Sequence, residues 1–248
     1  MQFGRGKPSV GAFFDSDFTS IDSLLALAVL YGLQGKNDCR VATVTMSRPN
    51  LAVAGFADAV VRFYHGPAAN FAQLPPVGMR TEGAAGETSP AFTVPFEKKK
   101  VDGTPVYKNA VKSVIDTGDP NTLLRNYLLA QSDQNAFFLL AGPATDLAAA
   151  LEFRGMKELL KAKIKYLVMA GPQTDVASAK KVAAEWPTPI IDVPQLSNVA
   201  YSGPYLHDGS ARSLEEIWTV FNPKDMHGVT NDLTKDELND LVEYLKTL

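Results

Sequence analysis

The feature that most constrains this chain is a change of hydrophobic period that recurs along most of its length. Short β-rich apolar runs ending in Gly, Asp or Pro alternate with longer stretches at helical spacing. Ser9 to Phe14 reads as a strand, Leu24 to Leu33 as a helix, Val41 to Met46 as a strand and Leu51 to Tyr64 as a helix. The rhythm resumes with a helix at Thr122 to Gln131, a strand at Ala136 to Leu140 and a helix at Thr145 to Leu151. A strand at Ile164 to Met169, a helix at Ala177 to Glu185 and a strand at Pro189 to Val193 complete it. Strands that are apolar throughout and alternate with helices indicate a mostly parallel sheet covered on both faces. The expected fold class is therefore α/β, a Rossmann-like sheet over residues 1–193, with a short α-helical tail over residues 194–248 packed on it.

Between Gly66 and Asp119 the rhythm breaks into Pro, Gly and Thr around Lys98-Lys99-Lys100. So long an irregular segment inside a compact domain reads as a functional flap or a mobile excursion, and the lysine run reads as a solvated turn. Beyond Pro194 the strands stop, and Ser213 to Val220 and Thr234 to Leu248 read as two helices. The second opens on Thr234-Lys-Asp-Glu237, a capping box in which each side chain satisfies an orphan backbone donor of the first turn.

Composition excludes several classes of function. With 24 Lys+Arg against 27 Asp+Glu the net charge is −3, so a nucleic-acid partner or an anionic membrane finds no basic excess to use. The longest apolar stretch, Leu24 to Leu33, is far short of the roughly 20 residues that cross a bilayer. The single cysteine, Cys39, reads as a buried thiol near a strand, and it excludes an intrachain disulfide, a Cys-based zinc cluster and a covalent CxxCH haem. No basic region followed by a long apolar core opens the chain as given, so no secretory signal is expected in it.

The densest chemistry lies where the first strand meets its helix, in Asp15-Ser-Asp17-Phe-Thr-Ser-Ile-Asp22-Ser23. In an open α/β sheet the carboxyl ends of the strands are the edge where ligands bind. Carboxylates gathered there repel one another unless something compensates them. A hard cation with oxygen ligands would do so, and Ca²⁺ suits a flexible all-oxygen set. The alternative makes Asp17 or Asp22 a helix N-cap and leaves Asp15 in solvent.

Read with its continuation Leu24-Leu-Ala-Leu, this segment resembles the opening motif of the inosine-uridine nucleoside hydrolase family, an Asp-x-Asp followed closely by Asp-Asp and an apolar helix. Three later stretches, in the same order, resemble it as well. They are Phe137-Phe-Leu-Leu-Ala-Gly142-Pro-Ala-Thr-Asp-Leu147-Ala, Tyr166-Leu-Val-Met169-Ala-Gly171, and Ala183-Ala-Glu-Trp-Pro-Thr-Pro-Ile190. The resemblance covers residues 9–193 and implies a Ca²⁺-dependent N-ribohydrolase that hydrolyses, or at least binds, a nucleoside or other ribosyl-containing small molecule. It implies Asp17 as metal ligand and general base, Asp15 beside it at the metal, Asp22 as metal ligand or ribose-hydroxyl acceptor, and the Ala141 carbonyl as a further ligand. Such chemistry needs a water held near the anomeric carbon and deprotonated there. Family members are often oligomeric, so a homo-oligomer is allowed.

The chain departs from that pattern. Where the family has an adjacent Asp pair, this sequence has Asp22-Ser23. If Asp22 matches the first member, Ser23 has replaced a ligand; if the second, Ile21 has replaced the ribose contact. After Gly171, Pro172-Gln-Thr-Asp175 runs almost directly into the next helix, without the family's Glu-Phe-Asn sugar loop. Asn50, in Ser47-Arg-Pro-Asn50, stands where the family often has a substrate-facing Asn, and it reads equally as a helix cap.

The tail resembles a different family. Pro194 to Glu216, with its Pro204-Tyr-Leu-His207-Asp208-Gly-Ser string, and the closing Leu233 to Leu248 are similar to the C-terminal part of bacterial cytochrome c peroxidase-type domains, without haem-attachment cysteines. That likeness allows a redox accessory role and an exported or periplasmic bacterial location. The nucleoside hydrolases also carry a late His-Asp. By that resemblance Asp208 would complete the metal site and His207 would protonate the leaving base, with an ordinary pKa suited to the task. Otherwise the pair hydrogen-bonds a turn at Gly209. His65 and His227 read as loop or helix-end residues.

Overall fold

The computed structural model describes residues 9–19, 21–66, 69, 74–170, 173–193, 203–205, 210–222 and 232–246. The chain divides into two compact units, Met1–Val193 and Pro194–Leu248. In the first unit, strands β1 (Val10–Ser16), β2 (Cys39–Met46), β3 (Val77–Met79), β4 (Ala136–Leu140), β5 (Ile164–Met169) and β6 (Ile190–Asp192) form one sheet. Its order is β3-β2-β1-β4-β5-β6 and every pairing is parallel. This is the Rossmann-like α/β arrangement that the alternating periods predict.

Helices α1 (Ile21–Gly35) and α2 (Leu51–His65) cover one face. There Ala12, Phe14, Val41, Val44 and Met46 of the strands meet Leu27, Leu30, Val53, Ala57 and Val61 of the helices. Helices α3 (Pro120–Leu129), α4 (Thr145–Ala150), α5 (Met156–Lys163) and α6 (Val176–Glu185) cover the other, around Phe13, Phe138, Leu140 and Leu167. Alternation along β1 thus sends Phe13 and Asp15 toward α3 and α4, and Phe14 and Ser16 toward α1 and α2. On the α1/α2 side the strands β4 and β5 keep Phe137, Leu139, Tyr166 and Val168 half-buried. Cys39 is buried, its thiol donating to the Leu30 carbonyl at 3.5 Å.

Caps fix where helices begin. Asn50 accepts from Val53 N, Asp119 from Thr122 N with Pro120 behind it, and Asp175 from Ser178 N. Two elements lie outside the expected rhythm. The strand β3 is three residues long and follows Pro75-Pro76, and α5 keeps only Met156 and Leu160 buried. The irregular segment after β3 returns to its starting point, because Gly118 bridges Gly78 in parallel, Met79 N donates to Gly118 O at 3.0 Å, and Gly118 N donates to Val77 O at 3.1 Å. Along the way it contributes Phe92 and Val111 to the α1/α2 core.

In the second unit, α7 (Leu214–Thr219) and α8 (Lys235–Lys246) pack through Leu214 and Val242, with Tyr205, Ile217, Trp218 and Leu245 around them. The capping box is formed: Glu237 accepts from Thr234 N at 2.8 Å, and Thr234 Oγ1 accepts from Glu237 N at 3.3 Å. No helix among the described residues is long and apolar enough to cross a membrane.

Candidate functional site at the strand-order switch

The sheet order reverses between β1 and β4, and in such sheets a crevice opens at the carboxyl ends of those two strands. Here the two strand ends are drawn tightly together. Ala141 N donates to Asp15 O at 2.7 Å. A methyl group on Gly142 would stand 2.6 Å from Asp17 N and 3.0 Å from Ser16 Cα, so only glycine lets the two backbones approach this closely. The Ala141 carbonyl accepts from Ser16 Oγ at 3.3 Å and from Ser23 Oγ at 3.1 Å. Gln173 pins the turn after β4, donating to Gly142 O at 3.0 Å and accepting from Ala144 N at 3.1 Å.

Asp15 and Asp17 leave β1 for different surroundings. Asp17 is buried, and its Oδ1 accepts from the backbone N–H and the hydroxyl of Thr19 at 3.2 and 2.9 Å. Between them Phe18 adopts φ 51°, a left-handed conformation costly for an aromatic residue. Its N–H donates to Ser16 Oγ at 2.9 Å, and its ring packs 5.8 Å from that of Phe14. Asp15 is 1% exposed and faces α3 and α4, not solvent as the capping alternative has it. Thr45 Oγ1 donates to its Oδ2 at 2.6 Å.

Across from Asp15, Arg80 Nη1 donates to Asp146 Oδ1 at 2.9 Å. The other oxygens, Oδ1 of Asp15 and Oδ2 of Asp146, have no protein partner among the described residues. Asp15, Thr45, Asn121 and Asp146 line a cavity of about 10 Å³, roughly the space of one water. Burial, and then the Asp146 charge, hold the Asp15 carboxyl well above the ordinary carboxylate range. Burial raises Asp146 as well, against the opposing pull of Arg80.

The remaining expected site residues are dispersed. Asp22 is exposed in the first turn of α1, where its charge suits the helix N-terminus. Asn50 is the N-cap of α2, and its amide also donates to Ala85 O at 3.2 Å and Thr88 Oγ1 at 2.7 Å. Arg48 donates to Ala85 O at 3.2 Å and Glu87 O at 2.9 Å. Both side chains therefore hold the chain that leaves β3 down at this edge of the sheet. His207 and Asp208 lie outside the described residues. Among the described residues no three His, Cys, Asp or Glu side chains gather as a metal-holding group.

Sequence reading passed over Ser16, Arg48, Arg80 and Asp146 as working parts, and weighed Ser23 only as the replacement of a metal ligand. Asp146 did carry a signal, as a carboxylate four residues after Gly142, in the first turn of the helix that follows a strand end.

No family model matches the chain. A stretch of 58 residues, 23% of the chain, is 53% identical to the hydrazine synthase subunit gamma of Kuenenia stuttgartiensis, of which it covers 16%.

Proposed function

We propose that the first unit is a nucleoside hydrolase-like domain that has exchanged its cation site for hydroxyl contacts and serves as a binding or scaffolding module. The Ala141 carbonyl carries this reading. A carbonyl oxygen has two lone pairs, and two hydroxyl donors, Ser16 and Ser23, already engage it. A calcium ion takes about six to eight oxygens, and the described donors do not fit one. Asp22 is exposed, Asp17 Oδ1 is taken by Thr19, and Asp15 faces Asp146. The burial of Ser23 against Ala141, beside an exposed Asp22, supports matching Asp22 to the first member of the family's Asp pair and Ser23 to the second.

The 58-residue likeness supports a role in assembly. That relative is by its name one subunit of an enzyme, and we infer that the matched stretch, slightly longer than the second unit, takes in that unit, where the sequence resembles cytochrome-type domains. A chain with one cysteine has no CxxCH pair for covalent haem, so this unit is read as a docking element.

Calorimetric titration of the chelator-stripped full chain with Ca²⁺, followed by a nucleoside screen for base release, tests the proposal. No saturable heat at millimolar Ca²⁺ and no base release are expected. Calcium binding acquired by Ser23→Asp would sharpen the assignment of that position. Saturable micromolar binding to the native chain, lost together with nucleoside cleavage in Asp17→Asn, overturns the proposal in favour of a working calcium-dependent hydrolase.

A further inference from the structure

We propose that a trough between α1 and α2, walled by the Pro95–Tyr107 stretch, binds a small amphipathic anion with an aliphatic or aromatic body and one carboxylate or sulfonate. The inference rests on a different part of the fold from the strand-order switch and does not depend on the reading given for that site.

The trough has a volume of about 420 Å³, within the range of roughly 300–1,000 Å³ found for small-molecule sites. Leu24 and Ala28 of α1 line one side, Phe56 and Val60 of α2 the other, and Phe96 and Tyr107 belong to the irregular segment. Two aromatic rings of α2 are held in place before any ligand arrives. Phe56 meets Phe92 edge-on at 5.1 Å, and Tyr64, also in the lining, stacks on Tyr31 at 4.7 Å. A lining fixed in advance loses little freedom on binding.

The surroundings remain apolar without cover. Leu25 is 56% exposed and Phe63 is 64% exposed, both in the lining. Such open apolar side chains offer the body of a ligand surface to cover.

Polarity enters through Lys98. It lines the trough, and no side-chain hydrogen bond or ion pair engages it among the described residues, while its backbone N–H donates to Pro95 O at 3.3 Å and its carbonyl accepts from Val106 N at 2.9 Å. Lys99 and Lys100 follow it, against Glu97 and Asp102 in the same stretch. An unpaired cation beside an apolar hollow complements a ligand with one anionic end. A two-fold contact between copies of this chain centred here would instead bring two lysine runs together.

Calorimetric titration of the full chain with decanoate, below its micellar concentration, tests the proposal. The expected result is saturable one-to-one binding. It should weaken by about tenfold or more in Lys98→Glu, a change at an exposed residue, and in Ala28→Phe, which fills the trough. Decyltrimethylammonium, with the same tail and the opposite charge, should bind at least about tenfold more weakly. No saturable decanoate heat at ~1 mM, equal affinity for the cationic analogue, or binding unmoved by both substitutions overturns the proposal. Self-association dispersed by Phe63→Glu, with no decanoate binding, also overturns it and makes the face an interface between copies.

Discussion

The strand-order switch and the α1/α2 trough are built in opposite ways. At the switch, polar groups converge and most already have partners. Ser16 and Ser23 serve the Ala141 carbonyl, Thr19 serves Asp17, Gln173 serves the following turn, and Arg48 and Asn50 hold the neighbouring loop. In the trough the lining is apolar and one cation stands unpaired. A ligand entering the switch must break hydrogen bonds that it then has to replace, and an unmet partner there costs about 1–3 kcal/mol. A ligand entering the trough displaces water from apolar surface and leaves the protein's own hydrogen bonds intact. A ligand edge inherited from the topology can thus be closed by side chains, while a new hollow forms where a long excursion leans on two helices.

Gly142→Ala strikes the closed region hardest. Its new methyl meets the backbone at Asp17 and Ser16, which cannot turn aside as a flexible side chain would, and we expect a loss of about 3 kcal/mol in urea denaturation. A loss below about 0.5 kcal/mol would mean that the strand ends are slack and the crevice can open.

Asp15→Asn sharpens the contrast through pH. Because the folded carboxyl is raised above its unfolded value, the native state keeps a proton that the unfolded chain releases near pH 3.9. The stability this contributes is full below that pH and is lost as pH rises through the folded value. The amide keeps the shape without that titration. Asp15→Asn should therefore gain on the native chain as the pH rises above about 3.9, measured as denaturation midpoints between about pH 4 and pH 8. A constant difference across that range would show that the Asp15 carboxyl is not raised in the folded state.

The smallest effect belongs to the open region. Gly32 lies one turn beyond Ala28 on α1, with nothing within 4 Å of the position its Cβ would take. Gly32→Ala should stabilise the protein by about 0.5–1 kcal/mol, visible as a raised Tm. A destabilisation would mean that this side of α1 is more crowded than the trough requires.

The fold was readable because central strands of a parallel sheet are apolar on both faces. Ala136–Leu140 and Ile164–Met169 lie where their runs predict, and α2 and α6 begin at or within one residue of expectation. The strand β3 was not readable, since Val77-Gly-Met is too short to show a period and its place is set by neighbours. A Cβ on Gly78 would stand 2.8 Å from Thr45 and 2.9 Å from Leu123. The helix α5 was hidden by its charges, with just two fully buried side chains to mark a face.

The site was legible as a location and not as a set of partners. Carboxylates clustered at a strand end point to the sheet's ligand edge, but alternation alone sends Asp15 to the opposite layer from Ser16. The meeting of Asp15 with Asp146, and of Ser23 with Ala141, joins residues more than a hundred positions apart. Spacing within one motif carries no record of such pairs. Asn50 illustrates the reverse case, in which a residue suited to a substrate contact was equally suited to a cap, and its side chain is committed to the cap and the loop.

The loop that leaves β3 at Met79 and rejoins it beside Gly78 through Gly118 has a consequence for how such a chain can change over generations. Because departure and return share one pair of hydrogen bonds, residues can be gained or lost between them without shifting the register of any strand. The penalty for a longer closed loop grows only with the logarithm of its length. Variation in length is therefore cheap here so long as Phe92 and Val111 keep their places in the core, and the far wall of the trough belongs to the part of the molecule freest to be rewritten.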